Sequence, residues 1–231
     1  VSDEIDISGF SGATEIAAGT AGWIRSSCVV ASSAYWPTLP NLDGVLTKSF
    51  SDNQADASQI NGTGAMSTPT GGVTTIAGFG AVAVIGQWSS TEDVSLMILG
   101  DSIVAGDADI KYTGSDGGGF VIDGVRSVGG RTIPNVLVAK GSDRADSWNE
   151  ENTLQKYLMQ FATHLIENYG TNDMAAGFTP AQTLASRKLI WSDFRTASPY
   201  GYIIAVPIAP RSSTTDAWAT TANQTPTSGF E

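Results

Sequence analysis

Three short apolar runs, each followed closely by a glycine, constrain this chain most. Residues 94–99 form an apolar run that ends in Gly100-Asp101-Ser102. His164–Asn168 leads into Gly170-Thr171-Asn172-Asp173, and Asn135–Ala139 precedes Gly141 in the same way. Runs this short and this apolar read as buried parallel strands, with both faces covered by helices. Residues 202–208 predict a fourth strand.

Helical signals lie between these runs. A Gly-rich stretch over 114–130 contains a candidate helix at about 120–128. Ser147-Trp148-Asn149-Glu150 fits a capping box, opening a helix whose apolar stripe is Leu154, Tyr157, Leu158 and Phe161. Thr179-Pro180-Ala181-Gln182 offers an N-cap with proline at the first helical position, and that helix should reach about Ala197. Strands alternating with helices predict a three-layer α/β/α domain, flavodoxin-like, with a parallel sheet over 93–231.

Residues 1–92 have a different texture. They are rich in Gly, Ser, Thr and Ala, with candidate strands at 4–7, 23–30, 45–50, 72–76 and 81–88. Turn formers separate these runs, among them Asn61-Gly62 and Gly71-Gly72. The spacing predicts a β-rich accessory region, part of a β-sandwich. Tyr35-Trp36-Pro37 and Trp88 are candidates for a sugar-stacking platform there, against the plainer reading as core aromatics.

Charge and composition exclude several functions. The 231 residues carry a net charge of −11, which argues against a protein that tracks nucleic-acid phosphates. No apolar run is long enough to span a bilayer, and no basic leader followed by an apolar stretch opens the sequence. Cys28 is the single cysteine and His164 the single histidine, so Cys- or His-rich metal centres are excluded. Asp107 and Asp109 lack further oxygen ligands, and 114–119 lacks the Gly-Lys-Ser/Thr ending of a phosphate loop. No metal or cofactor is called for. The Gly/Ser/Thr-rich, lysine-poor composition points to an extracellular or virion-associated protein. Asn61-Gly62-Thr63 and Asn223-Gln224-Thr225 match glycosylation acceptors.

In a parallel sheet, ligands gather at the carboxyl ends of the strands. The loops placed there are Gly100-Asp101-Ser102-Ile103, Gly141-Ser142-Asp143 and Gly170-Thr171-Asn172-Asp173. A serine at the tight turn after a buried strand is exposed to attack a bound substrate. A glycine lets an ester oxygen approach a bare backbone N–H, and an asparagine amide donates to an oxyanion without adding charge. The plainer alternative makes Ser102 an N-cap, Gly141 a turn and Asn172-Asp173 an Asx-turn.

In their order and placement these blocks resemble the SGNH (GDSL-like) esterase and lipase family, over about residues 93–231. The resemblance implies ester hydrolysis through an acyl-enzyme, with Ser102 as nucleophile. It also implies an oxyanion hole made by the N–H groups of Ser102 and Gly141 and the side chain of Asn172. The substrate would be a small acyl ester or an acetylated polysaccharide.

One family element is missing. A serine nucleophile needs a base, and the family takes its histidine from a DxxH block. The nearest approach here is Asp216-Ala217-Trp218-Ala219, with alanine where histidine would stand. His164 opens a strand that the Gly170 turn closes, about 20 Å from the active edge at 3.3 Å per residue, so it is not assigned to catalysis. Residues 215–225 read as a loop before a further helix, and the sequence as a fragment whose histidine lies in further sequence or a second chain. The rival function is a non-catalytic carbohydrate-binding or virion surface module on a degenerate hydrolase fold.

Overall fold

The computed structural model describes residues 49–51, 73–75, 85–86, 94–106, 119–125, 133–150, 152–208 and 211–227. The chain divides into two units, Val1–Asp93 and Val94–Glu231. In the first, β1 (Ser49–Ser51) pairs antiparallel with β2 (Val73–Thr75), inside or beside two of the expected strands. The expected strands at 4–7 and 23–30, and the aromatic residues Tyr35, Trp36 and Trp88, lie outside the described residues.

The second unit is an α/β fold. Its strands are β3 (Leu96–Gly100), β4 (Asn135–Ala139), β5 (His164–Asn168) and β6 (Tyr202–Ala205). All pairings are parallel, in the order β4-β3-β5-β6. The helices are α1 (Ser102–Ala105), α2 (Phe120–Val125), α3 (Thr153–Met159), α4 (Thr171–Ala175) and α5 (Pro180–Ala197).

The two sheet faces follow from side-chain alternation. Leu96 and Ile98 of β3 and Ile166 of β5 form one core with Val104 of α1 and with Val121 and Ile122 of α2. Glu167 points the other way, to Arg187 of α5, where Ile190 and Phe194 are also fully buried. Every residue of β3 is buried, as expected of a central strand. β4 is different: it lies at the sheet edge among the described residues, and Asn135 at its start is exposed. The run that predicted a buried strand is therefore half open to solvent.

Helix α5 starts where its residues predict. Thr179 accepts from the Gln182 N–H, the Gln182 side chain accepts from the Thr179 N–H, and Pro180 occupies the first turn. Two neighbouring donors that helix geometry leaves orphaned are thereby satisfied. The capping box expected at Ser147 does not form. Ala145–Ser147 is a 3-10 turn, and the Ser147 hydroxyl donates to the Arg144 carbonyl at 2.6 Å. The helix begins only at Thr153, and Leu154, Tyr157 and Phe161 of the expected apolar stripe are exposed, leaving Leu158 and Met159 to face the core.

Residues expected to be a loop before another helix instead make a hairpin. β7 (Ser212–Thr214) pairs antiparallel with β8 (Gln224–Pro226), with a 3-10 turn at Thr221–Asn223. At its tip the Ala219 N–H donates to the Asp216 carbonyl at 3.2 Å, closing a turn with Ala217 at φ 53° and Trp218 at φ 68°. Positive φ at both central positions is the setting that Gly, Asn and Asp normally occupy. For Ala and Trp it costs roughly 1–2 kcal/mol each.

Candidate functional site

The carboxyl ends of β3 and β5 adjoin where the strand order reverses, which is where open parallel sheets bind ligands. Register places Gly100 opposite both Ala139 and Asn168, so the loops after β3, β4 and β5 leave one edge side by side. The Lys140 N–H donates to the Gly100 carbonyl at 3.1 Å, extending that alignment one residue beyond the sheet.

The first loop is built for a tight turn. A Cβ on Gly100 would lie 2.5 Å from Val104 Cγ1, so only glycine lets α1 fold back this closely on β3. Asp101 caps α1, its Oδ1 accepting from the Ile103 N–H at 2.9 Å. Ser102 follows as the first helical residue, half-buried, before any backbone N–H of the helix finds an intrahelical partner.

Asp101 is itself buried, and its Oδ2 has no hydrogen-bond partner among the described residues; the same holds for Asn168 Oδ1. Burial raises the Asp101 carboxyl above its ordinary value, and the charges of Asp173 and Asp143 push the same way against the Ile103 N–H.

The second loop turns at 140–143, closed by the Asp143 N–H on the Lys140 carbonyl at 3.1 Å. Gly141 is exposed in this turn, but the positive φ of 63° falls on Ser142. The glycine is therefore not there to supply a left-handed backbone.

The third loop ties itself to the second. Asn172 Nδ2 donates to the Asp143 carbonyl at 2.9 Å. Asp173, fully buried, accepts from the Ala145 and Asp146 N–H groups at 3.0 Å each, capping from a distance a 3-10 turn that has no side-chain cap of its own. The Tyr169 hydroxyl donates to Asp143 Oδ2 at 3.0 Å. Burial, reinforced by the Asp143 charge, holds that phenol well above its ordinary value, so it remains a neutral donor.

Beneath this loop lies a buried ion pair. Arg187 Nε reaches both Glu167 oxygens, at 3.1 and 2.9 Å, and Arg187 Nη2 donates to the Val206 carbonyl at 2.8 Å. The Tyr169 N–H and Trp191 Nε1 complete the carboxylate's partners at 2.7 and 2.9 Å. Burial still raises the Glu167 carboxyl, with Arg187 as the main opposing influence.

The structure thus groups the loops that carry Ser102, Gly141 and Asn172. It leaves His164 at the amino edge, stacked on Tyr202 with centroids 5.0 Å apart and Nδ1 2.9 Å from Thr163 Oγ1. Asp216 is spent on its own hairpin. Asp143, Tyr169 and Asp173 bind partners 26 to 29 residues away, pairings that nothing in the local sequence marks. No group of three metal-ligating side chains occurs among the described residues, and no described helix is long and apolar enough to cross a membrane. Asp107, Asp109 and Asn61 fall outside the described residues; Asn223 is exposed on the hairpin.

Sheet order and loop placement define the second unit as a parallel α/β fold with a polar carboxyl edge. No protein-family model matches the chain, and no curated protein matches it in sequence. Among solved structures the chain is similar to a GDSL-like lipase from Parabacteroides merdae ATCC 43184, at 14% identity and a TM-score of 0.36. That match covers 49% of this chain and 58% of the other. It is also similar to the psychrotrophic esterase EstA from Pseudoalteromonas sp., at 18% identity and a TM-score of 0.40, over 52% of this chain and 63% of that one. This chain therefore spans less than two thirds of either protein. Both likenesses are loose.

Proposed function

We propose that the chain carries the nucleophile and oxyanion loops of a serine ester hydrolase of the SGNH type. The observation that carries this reading is the Gly100-Asp101-Ser102 turn at the strand-order reversal, beside the loop pair joined by Asn172 and Asp143. Ser102 Oγ attacks the ester carbonyl, and the oxyanion is received by the N–H groups of Ser102 and Gly141 and by Asn172 Nδ2. One such donor is worth about 3 kcal/mol in the transition state. Collapse expels the alcohol and leaves acyl-Ser102, which water hydrolyses. In this reading the β-rich region of 1–92 is an accessory module, and the substrate is a carboxylic ester or an O-acetylated carbohydrate met outside the cell or on a virion.

The proton of Ser102 Oγ needs an acceptor. His164, the one histidine in the 231 residues, sits at the wrong edge, so it does not serve as that base. That gap favours the rival reading, a carbohydrate-binding or surface module without turnover.

A serine-directed phosphonate separates the two. The chain, with whatever polypeptide its gene attaches to it, should gain one adduct on Ser102 by intact mass. Ser102→Ala should gain none and lose ester hydrolysis by about a thousandfold or more. Undiminished hydrolysis in that variant would overturn the reading, and a wild-type protein that forms no adduct would hand it to the binding module.

A further inference from the structure

Asp216 opens the segment nearest to a DxxH block, and its carboxylate is occupied within its own hairpin. It accepts from Thr214 Oγ1 at 2.6 Å, Thr220 Oγ1 at 2.7 Å, the Thr220 N–H at 2.9 Å and Asn223 Nδ2 at 3.1 Å. These donors, Thr214 first, hold the carboxyl well below its ordinary value. Thr214 Oγ1 in turn lies 3.3 and 3.4 Å from the N–H groups of Asp216 and Trp218.

This bracing maintains the left-handed backbone at Ala217 and Trp218, which neither residue favours. Strain of this kind persists only where the surroundings over-determine it, and it clusters at ligand sites. On that turn Trp218 is left 56% exposed.

The chain passes the third loop shortly before it enters the hairpin. Ile208 packs so closely on Gly170 that a Cβ there would meet its Cδ1 at 2.4 Å. β7 starts four residues later, a reach of at most about 14 Å.

We infer that Trp218 is a stacking platform for a neutral sugar ring. A flat, pre-positioned indole matches the C–H face of a pyranose and loses little side-chain freedom on contact. The net charge of −11 disfavours polyanionic glycans, which selects the uncharged ones. The inference stands independently of the ester-hydrolase reading.

The test is therefore made on Ser102→Ala, in which no hydrolysis interferes. Affinity electrophoresis of the whole chain is run in galactoglucomannan, xylan and dextran as neutral probes and in alginate as the anionic one. At least one neutral polysaccharide should retard the protein, and alginate should not. Adding Trp218→Ala should weaken retardation about tenfold or more, while Trp218→Phe retains most of it. Ala217→Gly, which relieves the backbone without touching the ring, should bind like the parent. Absence of retardation by all three neutral probes would overturn the inference. So would retardation by alginate alone, or equal retardation of a folded Trp218→Ala variant. None of these results bears on whether Ser102 is a nucleophile.

Discussion

Replacing Gly170 by alanine tests whether the loop that carries Asn172 is held by backbone conformation, by packing, or by both. Gly170 has φ 125°, outside the range that side-chain-bearing residues adopt readily. Forcing alanine there costs about 1–3 kcal/mol. The new methyl would also fall 2.4 and 2.7 Å from two carbons of Ile208 and 3.3 Å from Thr183 Cγ2. Overpacking of that kind costs a further 1–3 kcal/mol or so. Reduced freedom of the unfolded chain returns about 0.4–1 kcal/mol. The net expectation is a loss of about 2–5 kcal/mol. Gly177 is the internal control: its φ is 92°, and nothing lies within 4 Å of its Cβ position. Gly177→Ala should lose only the conformational part, about 1–2 kcal/mol. Urea unfolding followed by tryptophan fluorescence separates them, because about 2 kcal/mol corresponds to a midpoint shift near 1 M at a typical slope. Combining Gly170→Ala with Ile208→Ala should give a coupling of about 1–3 kcal/mol, since the smaller side chain vacates the clash. Equal losses at the two glycines, or strict additivity in the double variant, would refute the packing argument.

Two other perturbations probe the buried charges. Arg187→Met strands Glu167, which has no exposed surface, and should cost about 3–5 kcal/mol by chemical denaturation. Adding Glu167→Gln should recover part of that loss; a double variant as unstable as the sum of its parts would contradict the pairing. Asp101 gives a pH signature. Because its folded carboxyl holds a proton more tightly than the unfolded one, its contribution is present below the ordinary value of 3.8 and fades as pH rises through the raised one. Asp101→Asn keeps the cap oxygen but removes that titration, so the variant should gain on the wild type as pH is raised from about 4 towards neutrality. Parallel stability curves for the two proteins would refute it.

Sequence cues succeeded here where structure is set locally. The buried run at Leu96–Gly100 and the cap at Thr179 and Gln182 are decided by residues within a few positions of one another. The parallel arrangement follows from strands that alternate with helices. What stayed hidden depends on distant partners. Ser147 satisfies the capping-box pattern, yet Asp173 captures the two preceding N–H groups and pulls that segment into a 3-10 turn. The stripe of Leu154, Tyr157 and Phe161 has helical period, but the helix that forms turns Leu158 and Met159 inward. The hairpin at 212–226 rests on Asp216, whose four donor groups come from three polar residues, Thr214, Thr220 and Asn223, that composition reads as loop. Of the site, the three loops were legible as turns after strands. The Tyr169–Asp143–Asn172 linkage between two of them was not.

The central position of β3 also has a consequence for synthesis. Leu96–Gly100 emerges first of the four parallel strands, yet its neighbour β5 follows only after a gap of 68 residues, the spacing of the Ser95 and Thr163 contact. At about 5–20 residues per second, a ribosome needs roughly 3–14 s to deliver that neighbour. Throughout that interval Leu96, Met97, Ile98 and Leu99 form a sticky tetrapeptide on the nascent chain, with only the edge strand β4 arriving sooner to shield it. Every folded copy has passed through that vulnerable window, and chaperones that bind short aliphatic stretches would find their natural target there.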